Sequence, residues 1–178
     1  TTYDCQYEFN EVAGLPLYDG TYTKFLKDGE TPPSGLLTLP EGLIRSCDPF
    51  FWHLGKGLFD AGKTTAVTDM ARAFGLGSLT EIGVVDENAG NVPDPQSEVD
   101  AVNQAIGQGD LQVTPIQVAA MMAAIGNGGS LYRPQAIEKI VAEDGTTTFE
   151  FKPELTNTLP VKPENLKVIQ EAMRGVTS

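Results

Sequence analysis

Basic residues are scarce in this chain: 12 lysines and arginines stand against 24 aspartates and glutamates, a formal net charge of −12. A protein that grips phosphates needs the opposite balance, so a nucleic-acid partner is not expected. Histidine and cysteine are nearly absent. His53 sits among apolar sequence neighbours, and the two cysteines, Cys5 and Cys47, lack the spacing of a metal site, so no metal and no cofactor are expected. Two cysteines are also too few for a disulfide scaffold. Cys47 reads as a small buried thiol in an anchored turn, with a Cys5–Cys47 disulfide as the alternative. No apolar run reaches the length of a membrane span, and the first residues have neither the basic start nor the apolar centre of a signal peptide. The chain as it stands is expected to be soluble.

What is present is an ordinary globular composition, 40% apolar and 20% charged, over 178 residues. That length suits one domain with a core large enough to need no staples. Residues 1–40 mix aromatics with glycine and proline (Tyr18-Asp19-Gly20, Thr31-Pro32-Pro33-Ser34-Gly35). They read as an irregular lead-in of loops and short extended pieces, with a short strand near Leu36–Leu39.

The stretch Leu43–Gly55 organises the rest. Asp48-Pro49 reads as a helix start, with the aspartate as cap and proline at the first helical position. The helix continues through Phe50, Phe51, Leu54 and Leu58, which share one apolar face. Ser46-Cys47-Asp48 is therefore pinned at the edge of a core. For an arbitrary sequence of this kind, helix capping is the usual duty of such residues.

A second helix follows a Thr64 or Thr65 cap, with Val67, Met70, Ala71 and Phe74 on one face and Gly75 past its end. Thr80–Val85 reads as a short strand, and an irregular polar excursion runs from there to about Ala105. Thr114-Pro115-Ile116-Gln117 has the form of a capping box with proline at the start. The helix it opens is apolar all round, which predicts burial on every side, and Gly126-Asn127-Gly128-Gly129 ends it. Ile137–Val141 and Thr147–Phe151 flank an Asp144-Gly145 turn and predict a hairpin. Pro163 opens a last helix carrying Leu166, Ile169 and Met173, which stops at Gly175.

One motif is a decoy. Gly57-Leu58-Phe59-Asp60-Ala61-Gly62-Lys63-Thr64 fits the phosphate-loop pattern letter for letter, and Ile82-Gly83-Val84-Val85-Asp86-Glu87 resembles an apolar strand ending in a magnesium-binding acid. A phosphate cradle needs a strand leading into the loop, and here the preceding residues have a helical period. The stretch reads instead as a helix–helix connection, with Gly55 and Gly57 ending one helix and Thr64 beginning the next.

Several short pieces stand in order along the chain: Ile44-Arg45-Ser46-Cys47-Asp48-Pro49-Phe50-Phe51, Phe74-Gly75-Leu76-Gly77, and Glu87-Asn88-Ala89-Gly90-Asn91-Val92-Pro93. Ile106-Gly107-Gln108-Gly109, Val113-Thr114-Pro115-Ile116-Gln117 and Gly126-Asn127-Gly128-Gly129 with Pro134 continue it. In that order, from about Leu43 to Val176, the chain resembles the transpeptidase domain of the class B penicillin-binding proteins, most closely the elongation type. The resemblance implies an α+β penicillin-recognising domain, here a mostly helical lobe with a short hairpin and an incomplete sheet. Its expected layout is one partial domain over 1–178: the lead-in at 1–40, the helical lobe at 41–129, and the hairpin with the final helix at 130–178.

That family carries out serine acyl transfer with three motifs, S-x-x-K, S-x-N or S-x-D, and K-[ST]-G. Ser46-Cys47-Asp48 matches the second. The resemblance implies that Ser46 relays protons toward the leaving amine, and that Asp48 holds the lysine of the first motif and the substrate amide. The other two motifs are missing. None of the six serines, at positions 34, 46, 78, 97, 130 and 178, has lysine three places on, and no lysine is followed by serine or threonine and then glycine.

The expectation is therefore an internal piece of a peptidoglycan D,D-transpeptidase, inactive by itself. The intact enzyme is expected to be membrane-anchored on the extracytoplasmic face and to take stem peptides and β-lactams. The alternatives are a catalytically empty binding or scaffolding module and, more remotely, a phosphate-loop nucleotide-binding protein. An apolar face left uncovered on the helical lobe would promote self-association.

Overall fold

The computed structural model describes residues 1–177. The strands and helices, in chain order, are β1 (Thr2–Cys5), β2 (Glu8–Phe9), β3 (Leu17–Tyr18), α1 (Gly20–Asp28), β4 (Gly35–Thr38), α2 (Leu39–Arg45), α3 (Asp48–Asp60) and α4 (Ala66–Ala73). There follow α5 (Glu98–Ala105), α6 (Pro115–Gly126), β5 (Ser130–Tyr132), β6 (Lys139–Val141), β7 (Thr147–Glu150), β8 (Leu155–Thr158) and α7 (Pro163–Gly175). The strands pair only two by two, β1 with β4, β2 with β3, β5 with β8 and β6 with β7, all antiparallel. The class is α+β with an incomplete sheet. Contacts divide the chain into two units: Thr1–Asp69 with Pro93–Leu111 and the stretch from Glu164 onward, and Met70–Val92 with Gln112–Pro163.

In the first unit the core has two adjoining clusters. One gathers Cys5, Leu37, Cys47 and Phe50, with Tyr3, Phe51 and Leu54 against it. The other gathers Phe9, Val12, Trp52 and Val102. Phe50 and Trp52 lie two positions apart on α3 and enter different clusters, so this helix is the shared wall of the core. Its apolar period places it there. The second unit has a smaller core of Ala124, Leu131 and Leu159, with Phe74, Ala120 and Val161 against it.

Several expectations need correction. Residues 20–28 form α1 rather than a loop. The Asp19 carboxylate takes the Thr21 N–H at 2.8 Å and Gly29 closes the helix in the left-handed conformation, so end caps stabilise nine residues with no buried face. Residues 98–105 form α5, capped by Ser97, where only an irregular excursion was expected. Eight residues are too few for a helical period to emerge from Val99, Ala101 and Val102.

Thr80–Val85 is not a strand. Glu87 folds back to accept the N–H groups of Thr80 and Ile82, at 2.7 and 3.0 Å, so a side chain meets the donors a ladder would have used. Finally, α6 is not buried on every side. Gln117, Ala124 and Ile125 are buried, whereas Ala119, Met122, Ala123 and Gly126 form an exposed stripe. Hydropathy registers what a helix face can bury, not whether a partner is there.

Other readings hold. α6 opens on its Thr114–Gln117 capping box with Pro115 in place. The hairpin forms as β6 and β7, and α7 begins at Pro163 with Leu166 buried.

Candidate functional site

The turn between α2 and α3 is assembled from the chain's own donors and acceptors. α2 starts on Thr38, whose N–H and hydroxyl both reach the Glu41 carboxylate, at 2.8 and 2.6 Å. It ends at Ser46, in the left-handed region with φ 55° and ψ 46°. Among the described residues only Ser46 and Glu81 combine a side chain with positive φ. For serine that conformation costs on the order of 1 kcal/mol, so the surrounding structure must impose it.

Imposition comes from the start of α3. A helix leaves its first N–H groups without internal partners. Here Cys47 N–H returns to the Gly42 carbonyl at 3.0 Å, and Asp48 N–H reaches Oδ2 of Asp19 at 3.2 Å. Pro49 has no N–H to satisfy, and Phe50 N–H meets Sγ of Cys47 at 3.3 Å. Every donor has an answer. The helix cap is therefore Cys47, not Asp48 as the sequence suggested; Asp48 is the first helical residue, where a carboxylate suits the positive end of the helix dipole.

Cys47 is also joined to Cys5 in a disulfide, with Cα atoms 6.3 Å apart. The reading of Cys47 as a free buried thiol is thus overturned. The alternative, a Cys5–Cys47 disulfide, is what forms: the partner lies 42 positions away on β1, brought close by the β1–β4 pairing. The Asp19 carboxylate lies within 4.8 Å of both sulfurs. Those sulfurs are bonded to each other, which removes the thiolates a metal would need.

The two side chains singled out from the sequence are left unengaged. Ser46 is exposed and its hydroxyl has no partner among the described residues. Asp48 is half-buried and its carboxylate accepts no hydrogen bond among them. Burial first, and then the charge of Asp19, push the Asp48 carboxyl above the ordinary aspartate range. Neither side chain caps a helix, so the bland explanation for this pair does not apply. A free hydroxyl and an unspent carboxylate stand two residues apart on a rigid corner.

Sequence reasoning missed Asp19. It is 2% exposed, yet its position in Tyr18-Asp19-Gly20 signalled only a turn. The available signal was Asp19 followed by Thr21, a helix cap without an apolar period behind it.

Other motif pieces are structural. In the second unit Gln117, 1% exposed, donates through Nε2 to the carbonyls of Ser78 and Ala89 at 2.6 and 2.8 Å, and accepts the Thr114 N–H at 2.9 Å. It stitches two loops to the head of α6. The phosphate-loop match dissolves in the first unit. Gly57–Asp60 belongs to α3, and Gly62 takes the left-handed conformation just past it. The N–H of Lys63 turns back to the Leu58 carbonyl at 2.9 Å. That is a helix C-terminal cap, so Gly62 ends the helix, rather than Gly55 or Gly57, and no strand feeds the loop.

Residues 6–178 match the family described as "Penicillin binding protein transpeptidase domain". Penicillin-binding protein PbpB of Mycolicibacterium smegmatis is 36% identical over 110 residues, covering 61% of this chain and 16% of that protein. Peptidoglycan D,D-transpeptidase FtsI of Escherichia coli K12 is 39% identical over 79 residues, 43% of this chain and 13% of that protein. Penicillin-binding protein A of M. tuberculosis, solved as a ceftriaxone acyl-enzyme complex, superposes with a TM-score of 0.82 at 21% identity, covering 99% of this chain and 38% of that one. The chain thus spans less than a quarter of the length of the curated relatives it matches here.

Proposed function

The chain belongs to the penicillin-binding protein transpeptidase family, and from that premise we propose that it supplies the second active-site motif of a peptidoglycan D,D-transpeptidase. The observation that carries this reading is the corner itself: Ser46 offers an exposed, unpartnered hydroxyl from a backbone conformation that serine adopts only at a cost, beside the unspent carboxylate of Asp48.

Acyl transfer by a serine needs a base to take the nucleophile's proton and a route by which that proton reaches the leaving amine. Ser46 is the relay on that route: its hydroxyl can accept from one side while donating to the other. Asp48 holds cations and N–H donors. Its carboxyl, pushed up by burial and by Asp19, is an acceptor awaiting a positive partner, and a lysine ammonium beside it would favour the charged form. The attacking serine of S-x-x-K and the lysine of K-[ST]-G have no counterpart in this sequence. The chain is therefore one part of a single transpeptidase domain. β-Lactams, which mimic the acyl donor, and stem peptides are ligands of the complete site.

The Cys5–Cys47 disulfide supports an extracytoplasmic setting, since such bonds persist in oxidising compartments. No helix among the described residues is long and apolar enough to cross a membrane. The exposed stripe of α6 supports self-association of the isolated chain, to be checked by light scattering at rising concentration.

The test uses a labelled β-lactam. The chain alone takes up no covalent label. In a protein that adds the S-x-x-K and K-[ST]-G segments, Ser46→Ala slows acylation about a hundredfold with an unchanged melting temperature. Acylation at the unsubstituted rate in that variant overturns the proposal.

A further inference from the structure

Asp19 carries a carboxylate into the interior of the first unit, 2% exposed, where an ionised group without partners would be costly. Its partners divide by oxygen. Oδ1 accepts the N–H and the hydroxyl of Thr21, at 2.8 and 2.5 Å, which caps α1. Oδ2 accepts the N–H of Asp48, at 3.2 Å and 29 positions along the chain. The Asp19 main chain is itself fixed, its N–H donating to the Tyr7 carbonyl at 2.8 Å.

Capping α1 requires only one acceptor, and a serine would serve as well. The second oxygen answers a different need. The other N–H groups at the head of α3 find partners within five residues of themselves, in Gly42 and Cys47; Asp48 alone relies on a side chain from another element. We propose that Asp19 is a positioning residue for the Ser46–Asp48 corner: its buried carboxylate holds the Asp48 main chain from behind and so fixes where the Asp48 side chain points. The significance for acyl transfer rests on the function proposed above, whereas the contact itself does not.

Amide hydrogen exchange in the folded chain tests the contact. The first N–H of a helix has no internal partner, so Asp48 exchanges near the free-peptide rate unless Asp19 protects it. Protection of at least about tenfold is expected. In Asp19→Ser, which keeps a cap for Thr21 but is too short to reach Asp48, that protection is lost while the amides of Leu54 and Leu58 keep theirs. Thr21→Val, which disturbs only the α1 side of the carboxylate, leaves Asp48 protected. A free-peptide rate at Asp48 in the unsubstituted chain overturns the proposal, even if Asp19→Ser does not fold; so does protection that survives in a folded Asp19→Ser.

The consequence for chemistry is read separately, in a protein that supplies the two missing motifs. Asp19→Ser lowers the maximal rate of β-lactam acylation about tenfold more than it changes the concentration giving half that rate. Equal acylation by Ser46→Ala and the unsubstituted protein would sink the acyl-transfer reading and leave the Asp19–Asp48 contact standing. Unchanged acylation in a folded Asp19→Ser, with Ser46→Ala impaired, would sink the positioning role alone.

Discussion

Gly55 on α3 and Ala105 at the end of α5 meet so closely that a Cβ on Gly55 would stand 2.6 Å from the Cβ of Ala105 and 2.8 Å from the carbonyl oxygen of Ala101. The glycine is there for proximity. It sits in mid-helix, where its flexibility is a cost, and what it allows is direct contact between two helix backbones. The same pair of helices brings Trp52 of α3 and Val102 of α5 into one core cluster.

Gly55→Ala therefore forces α5 away from α3, and the better helix propensity of alanine does not offset the strain. The expected loss is about 2 kcal/mol, read as a lower urea midpoint. Gly57→Ala, with nothing within 4 Å of the added carbon, is the matched control and should be neutral or stabilising.

The disulfide yields a second expectation. Cys5 and Cys47 are 0% and 1% exposed, and their bond ties β1 to the head of α3. Replacing both by serine removes a cross-link over 42 positions and places two hydroxyls in an apolar cluster, at a cost of about 3 kcal/mol. Thiol titration of the protein unfolded in denaturant without reductant, where both sulfurs are accessible, should find no free thiol; two would refute the bond.

Legibility followed the range of the interactions concerned. α3, α6 and α7 were visible in the sequence because proline starts and periodic apolar faces are local signals. α1 was missed because its caps do more than its face, and α5 because eight residues are too few for its buried Ala101 and Val102 to show a period. Ser46 and Asp48 could be named from a motif, but their freedom from capping duty could not. That depended on Cys47 serving as cap and on Asp19 arriving from another element. Gln117 was visible as a capping-box member, while its two long-range carbonyl partners at Ser78 and Ala89 were not.

Asp48 makes stability depend on pH in a definite direction. Its folded carboxyl is raised by burial first and by Asp19 second, so the folded state holds its proton more tightly than the unfolded chain does. The favourable contribution is complete below the unfolded value, about 3.9, and is lost as pH rises through the folded one. Asp48→Asn has no such loss. Relative to the unsubstituted protein, its stability should therefore improve as pH rises from about 4 through the raised folded value, and level off on either side of that window. Parallel urea midpoints across that window would refute the assignment.

Ser46 offers the sharpest separation of folding from function. Its hydroxyl caps nothing, so Ser46→Ala should leave stability within about 0.5 kcal/mol, because only an exposed polar atom is removed. The backbone is another matter. At φ 55° the residue occupies a region that glycine enters without penalty, so Ser46→Gly should stabilise the fold by about 0.5 kcal/mol after the added freedom of the unfolded chain is counted, read as a higher urea midpoint. A position where glycine folds better and serine is nevertheless present is one where the side chain is kept for something other than folding. Equal or lower stability in Ser46→Gly would mean that serine is retained there for the fold, and would remove the main reason for assigning this corner to chemistry.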